Sequence, residues 1–340
     1  MSFSIKIDSG KPGGSLPQNY FRYLSNFGLL QREIVRRIFR KTGCKIFVYS
    51  AFPKSASQSM LALMQETAAT QLKVIKPKIG NGSGHNFISM DGLSKGLSFR
   101  KNTMIFGHLP FNNTNFKIIK KYQKKPKIFV SIRPLPDIVV SYKEHVDKFN
   151  FGPLDYHIDG VAECNPVWGL LDEKRKYDFI ISFILPWYIR FAVSWVEAVK
   201  KWPVEFVTFE ELTVYPQACI LNIMRFLEID LSPSAKTNLK NTKNLPRFNY
   251  NKGIGGRGLE LLESEQLSKI EDMILMHGEG FFHSFLGRYL LLGYDGLPFD
   301  PEQISSEKAR GLSNNPLFSF FMENNAAPQL PFQRCSEIAV

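Results

Sequence analysis

Short apolar runs at residues 45–50, 104–106, 127–132 and 204–209 stand out from the polar background of the chain. Each is rich in β-branched or aromatic side chains and bounded by polar, glycine or proline residues, which predicts buried strands. Helical spacing follows the first, third and fourth runs and predicts helices over 57–72, 137–149 and 215–227. Strands alternating with helices make βαβ units and a largely parallel sheet flanked by helices, with ligands at the C-terminal strand ends. The stretches 79–98 and 150–176 are long connections, of the length used for lids and binding loops. Glycines and prolines mark residues 1–18 as a flexible segment, 19–293 read as one α/β domain, and the polar, proline-rich 294–340 as a peripheral tail. Between 20 and 40, apolar Leu24, Phe27, Ile34, Val35, Ile38 and Phe39 interleave with Arg22, Arg32, Arg36, Arg37 and Arg40 at near-helical spacing. A helix packed on the domain with its arginines in water is the expectation, in preference to a helix lying on a membrane.

The first strand runs into Pro53-Lys54-Ser55-Ala56-Ser57-Gln58-Ser59, an order that builds a tight turn and then a helix N-terminus. Amides at a helix start lack intrahelical partners and carry partial positive charge, so they bind phosphate-like oxyanions. Lys54 adds a full charge, and Ser55, Ser57 and Ser59 add hydroxyl donors. This anion cradle is not a Walker-type loop: no glycine lies between Lys45 and Ser59, and the lysine precedes the small residues.

Other candidates also fall at strand ends. Arg133 closes the third strand and Ser141 follows eight residues later, so a guanidinium and a helix hydroxyl can grip a second phosphate together. Asp137 between them suits a helix N-terminus, and capping is its expected role. His108 lies beyond the second strand between Gly107 and Leu109-Pro110, placed to take a proton from a hydroxyl near neutral pH. His85, His145, His157, His277 and His283 do not share that placement. Residues 251–258 form a glycine-rich basic loop in which Lys252 and backbone amides can wrap a phosphate.

In this order the elements resemble the sulfotransferases that use 3′-phosphoadenosine 5′-phosphosulfate (PAPS). The family's 5′-phosphosulfate loop of the type PKSGTTW is matched by residues 53–59, its 3′-phosphate arginine and serine by Arg133 and Ser141. The catalytic HLP histidine of cytosolic members is matched by His108, and the RKG-type loop loosely by Asn251-Lys252-Gly253. The resemblance implies a P-loop-like three-layer α/β fold with a central, largely parallel sheet. It also implies in-line transfer of a sulfuryl group to an acceptor hydroxyl or amine, with 3′,5′-ADP (PAP) as product and no metal. His108 would be the base and Lys54 would meet the charge on the leaving oxygen. Cofactor contacts would come from Lys54, Ser55, Ala56, Ser57, Gln58, Ser59, Arg133, Ser141, Phe209, Lys252 and Gly253. Glu66 is the alternative base, since some Golgi-type relatives use a glutamate.

The departures are specific. Ala56, Gln58 and Ser59 replace glycine, threonine and tryptophan, which removes one adenine-stacking face. Phe209, ahead of Glu210-Glu211, offers ring stacking where the family often has tyrosine. Phe106 replaces a lysine, so one positive contact is lost, and Asn251 replaces an arginine, shifting the 3′-phosphate grip to Arg133, Lys252 and Arg257.

Composition adds limits. A net charge of +12 favours anionic partners without choosing among them. A kinase or nucleotide hydrolase on a similar core is the nearest rival, but GK[ST] and a strand-end aspartate for Mg²⁺ are missing. Lys117, Lys120, Lys121, Lys124, Lys125 and Lys127 raise a binder of acidic polymers, which a solvated helix end explains more simply. The four cysteines, Cys44, Cys164, Cys219 and Cys335, form no CxxC pair, so a reducing compartment fits. The N-terminal residues lack the apolar core of a signal peptide, and the apolar run 179–189 is short of the about 20 residues a membrane span needs. A cytoplasmic protein without integral membrane association is expected, acting on a small-molecule or carbohydrate acceptor and not on nucleic acid. Phe149, Phe151, Tyr156, Trp168, Phe183, Trp187 and Trp195 line either an acceptor pocket or the core, and for the helical stretch 179–199 the core is expected.

Overall fold

The computed structural model describes residues 18–76, 88–149, 168–241 and 255–293. Its centre is a sheet of parallel strands β1 (Ile46–Ala51), β2 (Leu72–Ile75), β3 (Asn102–Gly107), β4 (Lys127–Ile132) and β5 (Val204–Thr208). They lie in the order β2-β3-β1-β4-β5. β1 is the middle strand, with Val48 opposite Ile105 of β3 and Tyr49 opposite Phe129 of β4. The C-terminal ends of β3, β1 and β4 therefore lie side by side, at the point where successive crossovers leave β1 to opposite sides. Ligand crevices form at such switch points.

The helices, in chain order, are α1 (Gln18–Lys41), α2 (Ser57–Thr67), α3 (Met90–Gly96), α4 (Asn113–Lys120), α5 (Leu135–Phe149), α6 (Glu173–Phe179) and α7 (Leu185–Val199). After β5 come α8 (Phe209–Val214), α9 (Pro216–Leu227), α10 (Pro233–Asn241), α11 (Arg257–Leu261), α12 (Ser264–Leu275), α13 (Glu279–Phe282) and α14 (Phe285–Leu292). Alternation along the strands divides the core in two. Val48, Ile105, Val130 and Phe206 face α4, α5, α7, α12 and α14, and Tyr49, Phe106, Phe129 and Val207 face α2, α9 and α10. The result is the three-layer α/β arrangement expected from the sequence.

Three boundaries differ from expectation. α2 stops at Thr67, and Leu72, expected to end that helix, instead opens the edge strand β2. Leu72-Lys73-Val74-Ile75 is too short to show strand periodicity, and its pairing with β3 decides its state. Phe209 opens α8 rather than ending β5, because Thr208 caps that helix in a reciprocal capping box with Glu211. The run 179–189 belongs to a continuous helical stretch, Glu173–Val199, that passes through a π-turn at Ile180–Ile184. By length and composition it reaches what a membrane span needs, yet Ile184, Tyr188, Phe191 and Trp195 are buried in the domain core. The aromatic residues Trp168, Trp187 and Trp195 are likewise core, while Phe183 is exposed. Phe151 and Tyr156, the segments 1–17 and 294–340, and the side chain of Phe149 lie outside the described residues.

Candidate active site

Four successive carbonyls at the exit of β1 organise the site. A carbonyl leaving a strand loses its ladder partner and, when buried, needs another. Ala51 O accepts from His108 Nδ1 at 2.6 Å, and Phe52 O accepts from Ser55 Oγ at 2.7 Å. Pro53 O accepts from Tyr188 OH at 3.3 Å, and Lys54 O accepts from Arg133 Nη1 at 3.0 Å. The turn is left-handed at two non-glycine residues, Lys54 (φ 67°) and Ala56 (φ 57°). Ser55 Oγ reaches Ser131 Oγ of β4 at 2.9 Å, which in turn meets Tyr49 OH at 3.1 Å, so hydroxyls bolt the turn to the neighbouring strand. α2 then starts at Ser57 with Ala56 as its N-cap and no side chain capping its first amides. In that first turn Ser59 Oγ is buried without a hydrogen-bond partner.

His108 enters from β3. A carbonyl can only accept, so Nδ1 carries the proton and the basic lone pair of the neutral ring is on Nε2. The next residue is fixed as firmly. Leu109 O accepts from Ser50 Oγ at 2.7 Å and from Trp195 Nε1 at 3.1 Å, and Leu109 N donates to Ser50 Oγ at 3.1 Å. Phe106, where the lost lysine was expected, packs its ring 6.1 Å from the His108 ring. Lys76, just past β2, holds its ammonium 5.2 Å from the Phe106 centroid. A cation thus returns to this position from a strand that the sequence pattern hides.

Arg133 enters from β4 and is buried. Its guanidinium lies 4.0 Å above the Phe209 ring and 3.8 Å from Asp137 Oδ2. Phe209, a candidate stacking face for adenine, thus serves as the platform of this arginine. Asp137 has a different job from the capping expected of it. Oδ2 accepts from Gly256 N at 3.0 Å and Oδ1 from Gly258 N at 2.8 Å, so a carboxylate on α5 anchors a loop more than a hundred residues away. Gly258 makes this approach possible, since a Cβ there would lie 2.1 Å from the Pro136 carbonyl carbon. Arg257 is engaged by both oxygens of Glu144, a bidentate pairing that commits its guanidinium to α5. Glu210 Oε2 accepts from Tyr289 OH at 2.6 Å, and burial raises its carboxyl above the usual range.

Positive charge is concentrated where the turn and Arg133 meet. Burial, then the Arg133 cation, pulls the Lys54 ammonium down to about 8, while Glu144 opposes the shift. Burial also lowers Arg133. His145 is pulled down to about 4 by burial and by the Lys54 and Lys148 cations, so it is neutral at physiological pH. Asp137, Ser141, His145 and Lys148 recur at three- and four-residue spacing on α5, which turns one polar stripe toward the turn; Ser141 is buried there. Sequence reading set His145 aside, and the i, i+4 recurrence from Asp137 is the signal that would have found it. Two mutually repelling cations, Arg133 buried and Lys54 half-buried, with uncapped helix amides and an orphaned hydroxyl, are together what an oxyanion satisfies. Glu66 is exposed near the far end of α2, nine residues from its start and so about 13 Å along the helix axis, away from this cluster. Asn251, Lys252 and Gly253 lie outside the described residues.

Gly258→Ala is expected to cost about 3 kcal/mol or more in urea unfolding, because the methyl displaces the loop and strands the buried Asp137 carboxylate. Ala56→Gly is expected to stabilise by about 0.5–1 kcal/mol, since relief of the left-handed conformation outweighs the added chain entropy. A lower midpoint for Ala56→Gly in the same assay would contradict the reading of strain.

Comparison with known proteins identifies the family and the fold. Residues 81–269, more than half of the chain, match the family model described as a sulfotransferase domain; His108, Arg133 and Ser141 fall inside the match and the Lys54 turn precedes it. No curated protein matches the chain by sequence. Among solved structures, mouse sulfotransferase SULT7A1 complexed with PAP is similar at 17% identity with TM-score 0.53, over 73% of this chain and 87% of that one. A sulfotransferase from Alicyclobacillus acidocaldarius is similar at 13% identity and TM-score 0.38, over 69% of this chain and 96% of that one. A retinol dehydratase in complex with androsterone and inactive cofactor PAP is similar at 14% identity and TM-score 0.42, over 68% and 79%. With the family model spanning β3, β4, β5 and α5, the chain belongs to the sulfotransferase family.

Proposed function

We propose that this protein transfers a sulfuryl group from PAPS to a hydroxyl or amine of a small-molecule or carbohydrate acceptor in the cytoplasm, with His108 as general base. The observation that carries the reading is the bond from His108 Nδ1 to Ala51 O, three residues ahead of Lys54 in the cradle turn. It presents Nε2 as proton acceptor beside the turn that carries the cation. His108 Nε2 takes the acceptor proton as the acceptor atom bonds to sulfur, a contribution of about 10²–10⁴-fold. Lys54 and the first amides of α2 neutralise the charge gained by the oxygen that departs with PAP. The turn residues Ser55, Ala56, Ser57, Gln58 and Ser59 form the 5′ end of the donor site. Arg133 and Ser141 form its 3′ end, joined by Lys252 and Gly253, and exclude nucleotides without a 3′-phosphate. Phe209 contributes through its ring, over which the Arg133 guanidinium rests at 4.0 Å.

His108→Ala is expected to lower turnover by at least about 10²-fold while PAP binding, followed by thermal shift, stays within a factor of about two. Near-normal turnover in that variant would remove the histidine from the mechanism. PAP affinity is also expected to depend on pH. The unliganded Lys54 ammonium titrates at about 8, below the ordinary lysine value, so the cation is present below that pH and lost above it. Binding should weaken as pH rises through this value, by up to about tenfold per unit, and Lys54→Arg should flatten the profile. Calorimetric titrations across this range measure it, and a flat wild-type profile would take Lys54 out of the anion site.

A further inference from the structure

Helix α1 has two apolar faces with opposite fates. Phe39 is buried and Val35 packs against the core, which fixes the helix on the domain. Leu30, Ile34 and Ile38, spaced by four, form a second stripe that is 58%, 48% and 48% exposed. The sequence pattern pointed to a helix packed on the domain with its arginines in water; this stripe faces water as well. Beside it stand the exposed cations Arg37, Arg40 and Lys41. Arg40 Nη2 donates to Lys121 O at 2.7 Å, which ties the helix end to the α4–β4 connection and its exposed Lys120, Lys124 and Lys125. This basic ground lies at the N-terminal ends of the strands, opposite the edge that carries His108, Lys54 and Arg133. Of the carboxylates nearby, Glu33 on α1 pairs with Arg36 and with Arg37 at 3.1 Å, and Glu228 with Lys45 at 2.6 Å and Lys127 at 2.8 Å.

We propose that this face binds the surface of an anionic lipid bilayer. Leu30, Ile34 and Ile38 enter the boundary between headgroups and acyl chains, and the flanking arginines and lysines meet the headgroup phosphates and carboxylates. A helix with an apolar stripe beside a cationic band is built for such an interface, and cytoplasmic leaflets carry the matching charge. A soluble polyanion uses the cations but gains nothing from the three aliphatic side chains. A second copy of the same face brings like charges together. Docking here leaves the catalytic edge at the far ends of the strands, open to the aqueous side.

The test is sedimentation of the full chain with vesicles of phosphatidylcholine, with and without about one quarter phosphatidylserine. Binding is expected only to the anionic vesicles. Ile34→Ser with Ile38→Ser should weaken it by about tenfold or more, and Lys124→Ser with Lys125→Ser by about fivefold for each charge. Both double variants are on exposed positions, and an unchanged thermal midpoint verifies that they fold. Failure to bind anionic vesicles overturns the proposal. So does binding indifferent to the isoleucine pair, especially with salt-sensitive retention on heparin, which assigns the face to a soluble polyanion. A concentration-dependent dimer abolished by the isoleucine pair, without vesicle binding, assigns it to a second copy.

Discussion

The carbonyls that leave the central strand need partners, and the parts of the site supply them. Ala51, Phe52, Pro53 and Lys54 emerge from β1 into a buried turn where no ladder partner continues. Their hydrogen bonds come from a histidine after β3, a serine of the turn itself, a tyrosine of α7 and an arginine after β4. Each bond is a structural necessity, because an unsatisfied buried carbonyl costs about 1–3 kcal/mol. Three of them also fix a side chain of the candidate site, His108, Ser55 or Arg133, so stability and positioning are there the same interactions. The left-handed Lys54 and Ala56 persist because these bonds over-determine the turn.

The electrostatics follow from the same economy of partners. Three carboxylates approach the cation pair, and each is already occupied. Asp137 takes the amides of Gly256 and Gly258, Glu144 takes Arg257, and Glu210 takes the Tyr289 hydroxyl. Glu144 opposes the shift of Lys54 only in part, and burial together with the Arg133 cation keeps its ammonium depressed. A site that keeps two cations together against repulsion favours an incoming anion, since the ligand relieves a cost already present in the folded protein. The helix amides of α2 act in the same direction.

The molecule also separates its two charged ends along the strand axis. Conserving direction in a parallel sheet places every C-terminal strand end on one edge and every N-terminal end on the other. The first edge gathers Lys54, His108 and Arg133. The second gathers the exposed lysines around α4 and the end of α1, together with an aliphatic stripe facing water. The Lys54 and Arg133 cations and the exposed lysines thus stand at opposite edges of one sheet.

Apolar runs of three to six residues with β-branched and aromatic side chains were enough to place β1, β3, β4 and β5, and with them the strand-end locations of Lys54, His108 and Arg133. Those features are local: a buried parallel strand is uniformly apolar, and its end is marked by the first turn-forming residues. The four residues of β2 carry no comparable signal, so the strand, and Lys76 beyond it, appear only once β3 supplies the pairing edge. The anchoring of Gly256 and Gly258 by Asp137, the Arg257–Glu144 fork and the platform under Arg133 join residues far apart in the chain, whose spacing encodes nothing about their meeting. Residue types along the chain determined the strands and the kinds of chemistry on offer. The order in which the strands paired decided which groups face one another, because hydrogen-bond partners, burial and neighbouring charge are set by what packs alongside, not by what precedes or follows.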